Sequence, residues 1–327
     1  MIARNSTVEF VAFCLQAVPG VGVSTLRKVL SRTAREGLGL GDLLSIEDHG
    51  FLSHLGLTPS VVDALRNPAR ETLELWQLLE EQFVRILILG QRGYPARLRS
   101  LLGNTSPPVL FLLGELDLLQ CRAVGFCGSR RASAKGLGVA ADCASSLARQ
   151  QINVVSGYAN GIDLAAHRAA LEVGGSTTIV MAEGILHFKV KSELRGLVNK
   201  GDFSRLAVVS EFPPGLSWRA HNAMTRNRTI CGLSRAMVVI ESGSEGGTFE
   251  AGKAALELGE PLFCVEYSET PLEAAGNSYF LKHGAQSLRR SRNGEPNLTK
   301  LLSVVQDAGD RLDRSRQGEL SLSGRAV

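Results

Sequence analysis

Ala123-Val124-Gly125-Phe126-Cys127 is an apolar run without a charged side chain, and Gly128-Ser129-Arg130-Arg131 leads from it into a helical pattern over residues 135–149. A short apolar run that ends at a glycine predicts a strand buried on both faces. A buried strand followed at once by a helix is half of a βαβ unit, in which strands are parallel and helices cover the sheet. This stretch therefore predicts an α/β fold.

The same pattern repeats on both sides of this stretch. Further short apolar runs cover residues 85–89, 109–113, 153–156, 178–181, 206–210, 237–241 and 262–265. Helical patterns cover residues 161–173 and 249–258. The alternation predicts a doubly wound, mostly parallel Rossmann-like sheet, and such sheets bind ligands outside the carboxyl ends of their strands.

The first part of the chain has a different pattern. Residues 1–82 carry periodic leucine and valine with breaks at Pro19-Gly20 and Pro59, which predicts a small helical leader domain of the SAM-like kind. Gly20-Val21-Gly22 resembles the turn of a helix-hairpin-helix, whose amides can hold a DNA phosphate. A tight turn between packed helices is the favoured interpretation, because a lone short motif often matches by chance. Residues 83–290 form the predicted Rossmann-like domain, and residues 291–327 a polar tail.

Composition excludes several classes of protein. The chain has 44% apolar residues and a net charge of +4. Its six cysteines are scattered without a CxxC pair or zinc-ligand spacing, so we expect no metal site and a reducing compartment, the cytoplasm. No signal peptide is recognisable, and no apolar run approaches the ~20 residues that span a bilayer, so no membrane partner is expected. No Walker A lysine is present, and we expect no cofactor.

One basic run stands out from this composition. Between residues 212 and 240 the chain has Arg219, Arg226, Arg228 and Arg235 but no aspartate or glutamate. Guanidinium groups that lie next to a buried strand and lack carboxylate partners need an anion from outside the chain. The predicted anion is phosphate.

Two of the predicted strands end in loops that could hold this anion. In the first loop, Gly128 allows close backbone approach, Ser129 offers a hydroxyl and Arg130 a cation, and the following helix is expected to present free amides. The second loop runs from Gly157 to Gly161 and into a helix that carries Asp163. Asn160 is the expected cap of that helix, and Asp163 is expected to pair with His167 four residues later in a structural role.

A third loop follows the predicted strand at residues 237–241. Gly246 and Gly247 permit close backbone approach, and Thr248 is a candidate cap and phosphate ligand. Glu250 falls in the first turn of the next helix, where an acid complements the helix dipole. It is also a candidate catalytic carboxylate aimed at a sugar.

In their order along the chain, several short elements resemble those of the bacterial DNA-processing protein A family (DprA, also called Smf). The resemblance covers about residues 84–290 and is carried by Arg92-Gly93-Tyr94-Pro95, Gly128-Ser129-Arg130, residues 155–163, residues 210–215 and Arg226-Asn227-Arg228. It implies a non-enzymatic homodimer that binds single-stranded DNA and loads the RecA recombinase onto it in natural transformation. The pocket residues that the resemblance implies are Gly128, Ser129, Arg130, Gly157, Gly161, Asp163, Arg226, Asn227 and Arg228.

The chain departs from the family pattern at several places, two of which lie in the predicted binding loops. Asn160 stands where the family usually has arginine. Gly246-Gly247-Thr248-Phe249-Glu250 resembles instead the loop of the cytokinin-activating nucleotide phosphoribohydrolases. The alternative function is therefore an enzyme that cleaves the N-glycosidic bond of a nucleoside monophosphate, with Glu250 at the sugar and Arg226 or Arg228 on the 5′-phosphate, or a nucleotide sensor without turnover.

Overall fold

A computed structural model describes residues 8–198, 202–268, 274–291 and 294–306 of the chain. Within these residues the predicted Rossmann-like fold is confirmed as one mixed sheet in the order β1-β2-β6-β5-β4-β3-β7-β8-β9. The strands are β1 (Arg85–Ile88), β2 (Val109–Gly114), β3 (Ala123–Cys127), β4 (Asn153–Ser156), β5 (Thr177–Val180), β6 (Leu206–Ser210), β7 (Met237–Val239), β8 (Leu262–Val265) and β9 (Gln286–Leu288). In this sheet order, all neighbouring strands from β6 through β3 to β9 are parallel. Strand β2 pairs antiparallel with both β1 and β6.

Helices cover both faces of this sheet. They are α1 (Val8–Ala17), α2 (Val23–Arg35), α3 (His49–Leu55), α4 (Pro59–Arg66), α5 (Arg70–Glu81), α6 (Ala96–Leu102), α7 (Ala134–Ala148), α8 (Ile162–Glu172), α9 (Ala220–Leu233), α10 (Gly247–Glu257) and α11 (Asn277–Lys282). Helices α7 and α8 share a core with Val124, Phe126 and Val238, and α9 and α10 share another with Met237 and Val239. The two sets alternate along β3 and β7, as strands buried on both faces require.

Helices α1 to α5 pack at the β1 end of the sheet. Phe10 and Phe13 of α1 lie in one core with Ile86 of β1 and Phe111 of β2. Trp76 of α5 closes this core, with its ring centroid 5.0 Å from that of Phe10. The domain boundary predicted at residue 82 falls between α5 and β1 and stays a prediction. Residues 307–327 of the predicted tail lie outside the described residues.

The order of the strands places a crevice at β3. The chain runs from β3 through β4 and β5 to β6 on one side, and then returns to β7, β8 and β9 on the other side. The carboxyl ends of β3, β4 and β7 therefore meet where the winding reverses, which is the usual ligand position in doubly wound sheets. No helix among the described residues is long and apolar enough to cross a membrane.

Candidate nucleic-acid site

A cavity of about 720 Å³ opens at this reversal point. Its wall comes from four separate segments, residues 126–131 after β3, residues 157–163 after β4, residues 223–230 of α9 and residues 243–251 at the start of α10. The sequence-predicted residues on this wall are Gly128, Ser129, Arg130, Gly157, Asp163, Arg226, Asn227, Gly247 and Thr248. Gly161, Arg228, Gly246 and Glu250 do not line it.

Arg226 is the central cation of the cavity. It extends from α9, is only 7% exposed, and its Nε is buried without a hydrogen-bond partner. No ion pair within 4.0 Å involves it among the described residues. Burial lowers the pKa of this guanidinium, and the nearby carboxylates of Asp163 and Glu211 oppose that shift. A buried guanidinium with unused donors is costly unless an anion completes its contacts.

Gly157 makes room for this guanidinium. A Cβ at residue 157 would collide with the Nη1 of Arg226, so only glycine lets the side chain lie against the loop after β4. The loop itself is held from below by His167, whose Nε2 donates to the Gly157 carbonyl at 2.5 Å. The second ring nitrogen of His167, Nδ1, lies 2.6 Å from the Thr177 hydroxyl, which also contacts the Val154 carbonyl at 2.7 Å.

The expected pairing of Asp163 with His167 is wrong. Asp163 lies in the first turn of α8 and accepts a hydrogen bond from the Ala159 amide at 3.3 Å, while both ring nitrogens of His167 have other partners. Burial raises the pKa of the Asp163 carboxyl, and the charge of Arg226 opposes this. Asp163 therefore places a buried carboxyl group on the cavity wall beside Arg226.

The start of α7 has an internal carboxylate beside it that the sequence does not predict. Glu241, which is fully buried after β7, accepts hydrogen bonds from the Ser133 amide at 2.9 Å and from the Ser133 hydroxyl at 2.5 Å. Its carboxylate lies so close to Gly136 that a Cβ there would be 2.5 Å from Oε1. The chain thus supplies its own anion to this helix dipole. Arg130 and Arg131 remain exposed on the loop at the cavity mouth.

Two predicted glycines shape the loops instead of lining the cavity. Gly161 has a φ of +81° and precedes α8, and a Cβ there would collide with the Ser129 carbonyl. It therefore allows the loops after β3 and β4 to touch. Gly246 has a φ of +93° and precedes α10, so the next two residues, Gly247 and Thr248, begin the helix at the cavity wall.

Asn227 and Glu250 lie on either side of this third loop. The Asn227 side-chain amide donates to the Gly247 carbonyl at 3.3 Å, which ties α9 to the start of α10. Glu250 forms an ion pair with Lys253 at 3.1 Å one turn further along α10. Glu250, the candidate catalytic carboxylate of the alternative function, therefore does not line the cavity.

The sequence predicts that the arginines of the basic run have no partners within the chain. The structure shows such partners for two of them. Arg228 lies 3.8 Å from the Glu257 carboxylate, with 38% of its side chain exposed. Arg235 donates to the Val305 carbonyl at 2.7 Å. Both partners are distant in sequence, and only Arg226 of these three reaches the cavity.

Lys191 is a cation that the sequence does not single out. Its Nζ donates to the Tyr158 carbonyl at 2.7 Å and to the Asn160 side chain at 2.8 Å. Asn160 is therefore not the predicted helix cap. Burial lowers the pKa of Lys191, and Glu193 and Asp163 oppose the shift. Lys191 places a positive charge beside the position where the family usually has arginine.

Comparison with known proteins agrees with the fold. Residues 85–295 match the family model described as DNA recombination-mediator protein A. The chain is 38% identical over 191 residues to the putative DNA processing protein DprA of Mycobacterium tuberculosis, a match that covers 57% of this chain and 48% of that protein. The chain thus spans about half the length of the first curated relatives it matches.

Two solved structures share the architecture. DNA processing protein A from Streptococcus pneumoniae superposes with a TM-score of 0.69 at 26% identity, over 86% of this chain and 94% of that one. DNA processing protein A from Helicobacter pylori, described for its single-stranded DNA binding mode, has a TM-score of 0.54 at 18% identity, over 70% of this chain and 96% of that one. By its family match over residues 85–295, the chain belongs to the DNA recombination-mediator protein A family, whose relatives carry the names DprA and Smf.

Proposed function

We propose that this chain binds single-stranded DNA, with one backbone phosphate held by Arg226 in the cavity at the ends of β3, β4 and β7. The observation that carries the proposal is the buried guanidinium of Arg226, which has unused donors and faces the cavity. Charge-assisted hydrogen bonds to phosphate would satisfy those donors.

The surroundings of Arg226 support a polyanionic ligand. Arg130 and Arg131 lie at the cavity mouth, and the amides of Gly247 and Thr248 belong to the first turn of α10, which has no side-chain cap. Helix amino termini and arginines are the usual ligands of phosphate. Several phosphates in a row, as in a nucleic-acid strand, would engage both the mouth and the interior.

A single strand fits this cavity better than a duplex. The cavity has the size of a small-molecule site and is recessed at the end of the sheet. A flexible strand can turn one nucleotide into such a recess, whereas the bases of a duplex stay paired and stacked in its interior.

The family supports the further steps of the proposal. A recombination mediator passes single strands to a recombinase, so we assign the RecA recombinase as partner and a homodimer as the active form, as the family resemblance implies. The six cysteines are all unpaired, which fits a reducing compartment, and we assign the protein to the cytoplasm.

The structure favours binding without turnover. Glycoside cleavage needs a carboxylate within reach of the sugar and of its attacking water. Glu250 is engaged by Lys253 and lies off the cavity wall. The relatives reported above carry the names of DNA-processing proteins.

Two arginines of α9 give a matched test of the site. Arg226→Gln removes the buried cation and is expected to weaken binding of a fluorescent dT oligomer about 10-fold or more, since hydrogen bonds to charged groups contribute about 1.5–3 kcal/mol. Arg228→Gln removes a cation two residues away that pairs with Glu257, and it is expected to leave the affinity unchanged.

Salt dependence is the second measurement in this test. With Arg130, Arg131 and Arg226 each neutralising one phosphate, log affinity should fall against log salt with a slope of about −2, and Arg226→Gln should make it less steep by about 0.7. Equal binding curves for the native chain and both variants, or an affinity independent of salt, would contradict the proposal. RecA loading is tested on DNA coated with single-strand-binding protein, where only chains with Arg226 should accelerate filament formation.

A further inference from the structure

Trp218 is an exposed aromatic residue at the mouth of the cavity. It lies between β6 and α9, and 48% of its surface is exposed. It is absent from the hydrophobic cores of the described residues. The Arg130 guanidinium, which lines the cavity, lies over the indole with its carbon 5.6 Å from the ring centroid. Single exposed apolar side chains are ordinary on protein surfaces, but this one lies against an arginine of the cavity wall, where a ligand in the cavity can reach it.

Other aromatic side chains near the cavity are already engaged. Tyr158 packs against Phe188 at 5.6 Å, its hydroxyl accepts from the Lys191 amide, and the Lys191 ammonium lies over its ring. Phe249 packs against two rings of α11, Tyr279 at 5.0 Å and Phe280 at 5.1 Å. Of these three aromatic residues, Trp218 is the one without an aromatic partner among the described residues.

The contact with Arg130 leaves that arginine able to bind phosphate. A guanidinium over an aromatic ring keeps the N–H donors at its edge available, because stacking uses its face. No hydrogen bond or ion pair to a described residue engages Arg130. The indole thus contacts the arginine on one side, the N–H donors at the edge of the arginine stay available for a phosphate, and a base can cover the remaining indole surface.

We propose that Trp218 is the base-stacking platform of this site and gives the chain its selectivity for single strands. This rests on the proposed function, because Arg226 and Arg130 first fix neighbouring phosphates of the same strand. Stacking on an indole tolerates any base, since every base has a π face, so the platform selects unpaired bases but not a sequence. A duplex keeps its bases stacked in the helix and gains nothing from Trp218.

The chain has two tryptophans, which makes the stacking directly observable. Trp76→Phe removes the core tryptophan but keeps an aromatic ring against Phe10 and leaves Trp218 as the single tryptophan. Titration of this variant with a dT oligomer is expected to quench the emission of Trp218 to saturation. An abasic oligomer of equal length has the phosphates but no bases, and it is expected to bind with little quenching.

Affinity gives the second readout. Trp218→Ala is expected to weaken binding of the dT oligomer about 5-fold or more and to leave binding of the abasic oligomer unchanged, whereas Trp218→Phe keeps most of the affinity. Phe83→Ala is the matched control, because Phe83 is an exposed aromatic residue at the start of the sheet's β1 edge, 85% exposed and outside the cavity. It is expected to bind like the native chain.

The outcomes separate the two proposals. The phosphate site stands if both oligomers bind the native chain and Arg226→Gln weakens the binding of both. In that case the platform is overturned if Trp218→Ala binds dT as tightly as the native chain and if dT does not quench the emission of Trp218 in Trp76→Phe. If neither oligomer binds the native chain, the proposed function and the platform both fall.

Discussion

The guanidinium of Arg226 occupies the space where a side chain of residue 157 would have to be. Residue 157 directly follows strand β4 and Arg226 projects from the middle of α9, so the two come from segments far apart in the chain. The absence of a Cβ at Gly157 therefore sets how deep the cation can sit. The glycine at residue 157 thus determines where the positive charge of Arg226 lies in the cavity.

Gly157→Ala is expected to displace the Arg226 side chain and to weaken binding of a dT oligomer about 10-fold, as in Arg226→Gln. A new Cβ would overlap the guanidinium, whose Nε is already buried without a hydrogen-bond partner. Fluorescence titration measures the effect. Gly138→Ala is the matched control, because a Cβ there meets no atom within 4 Å, and within a helix this change is expected to stabilise the chain by about 0.5–1 kcal/mol. If Gly157→Ala binds the oligomer like the native chain, the buried position of the Arg226 guanidinium is not needed for binding.

Buried His167 is expected to make the fold sensitive to acid. Burial lowers the pKa of His167 from 6.5 to about 4. As pH falls below 6.5 the unfolded chain takes up the proton first, so stability that is fully present above pH 6.5 is lost progressively down to pH 4. The loss amounts to about 3 kcal/mol. In urea unfolding, the stability advantage of the native chain over His167→Gln should shrink by this amount between pH 7 and pH 4; a constant difference would contradict the assignment.

Glu241→Ala is expected to destabilise the fold by about 3 kcal/mol. The change removes two charge-assisted hydrogen bonds to Ser133 and leaves the positive end of the α7 dipole without its buried anion. Urea unfolding measures the loss. The control is Glu172→Ala, which breaks the exposed Arg168–Glu172 pair of α8 and should cost about 0.5 kcal/mol or less. Similar losses for both variants would mean that Glu241 does not stabilise the helix end.

Sequence patterns predict the sheet well where the signal is local. The apolar runs of β1 to β8 are recognisable because each is buried on both faces and bounded by polar residues. Strand β9 is missed because Gln286-Ser287-Leu288 is short and polar, and only its pairing with β8 makes it a strand. The basic run is seen as charge but not as the helix α9, since its apolar positions are few and irregular.

The partners of charged groups are harder to predict than the groups themselves. Glu241 and Ser133 are 108 residues apart, and no local pattern shows that this carboxylate covers the start of α7. The pairing of Arg228 with Glu257 depends on how α9 packs against α10, which periodicity does not reveal. Lys191 stands in a segment without a recognisable pattern, and it reaches the cavity loop only through the path of the folded chain.

The four-segment wall of the cavity has a consequence for the energetics of the whole domain. None of its segments can bind alone, because each contributes one side of the recess and the parts meet only when β3, β4 and β7 are in register. A ligand held there is linked to the folding of the complete sheet, and at a hundred times its dissociation constant it would add about 2.7 kcal/mol to the free energy of unfolding. If the proposed ligand binds there, the melting temperature of this domain should rise with the concentration of single-stranded DNA.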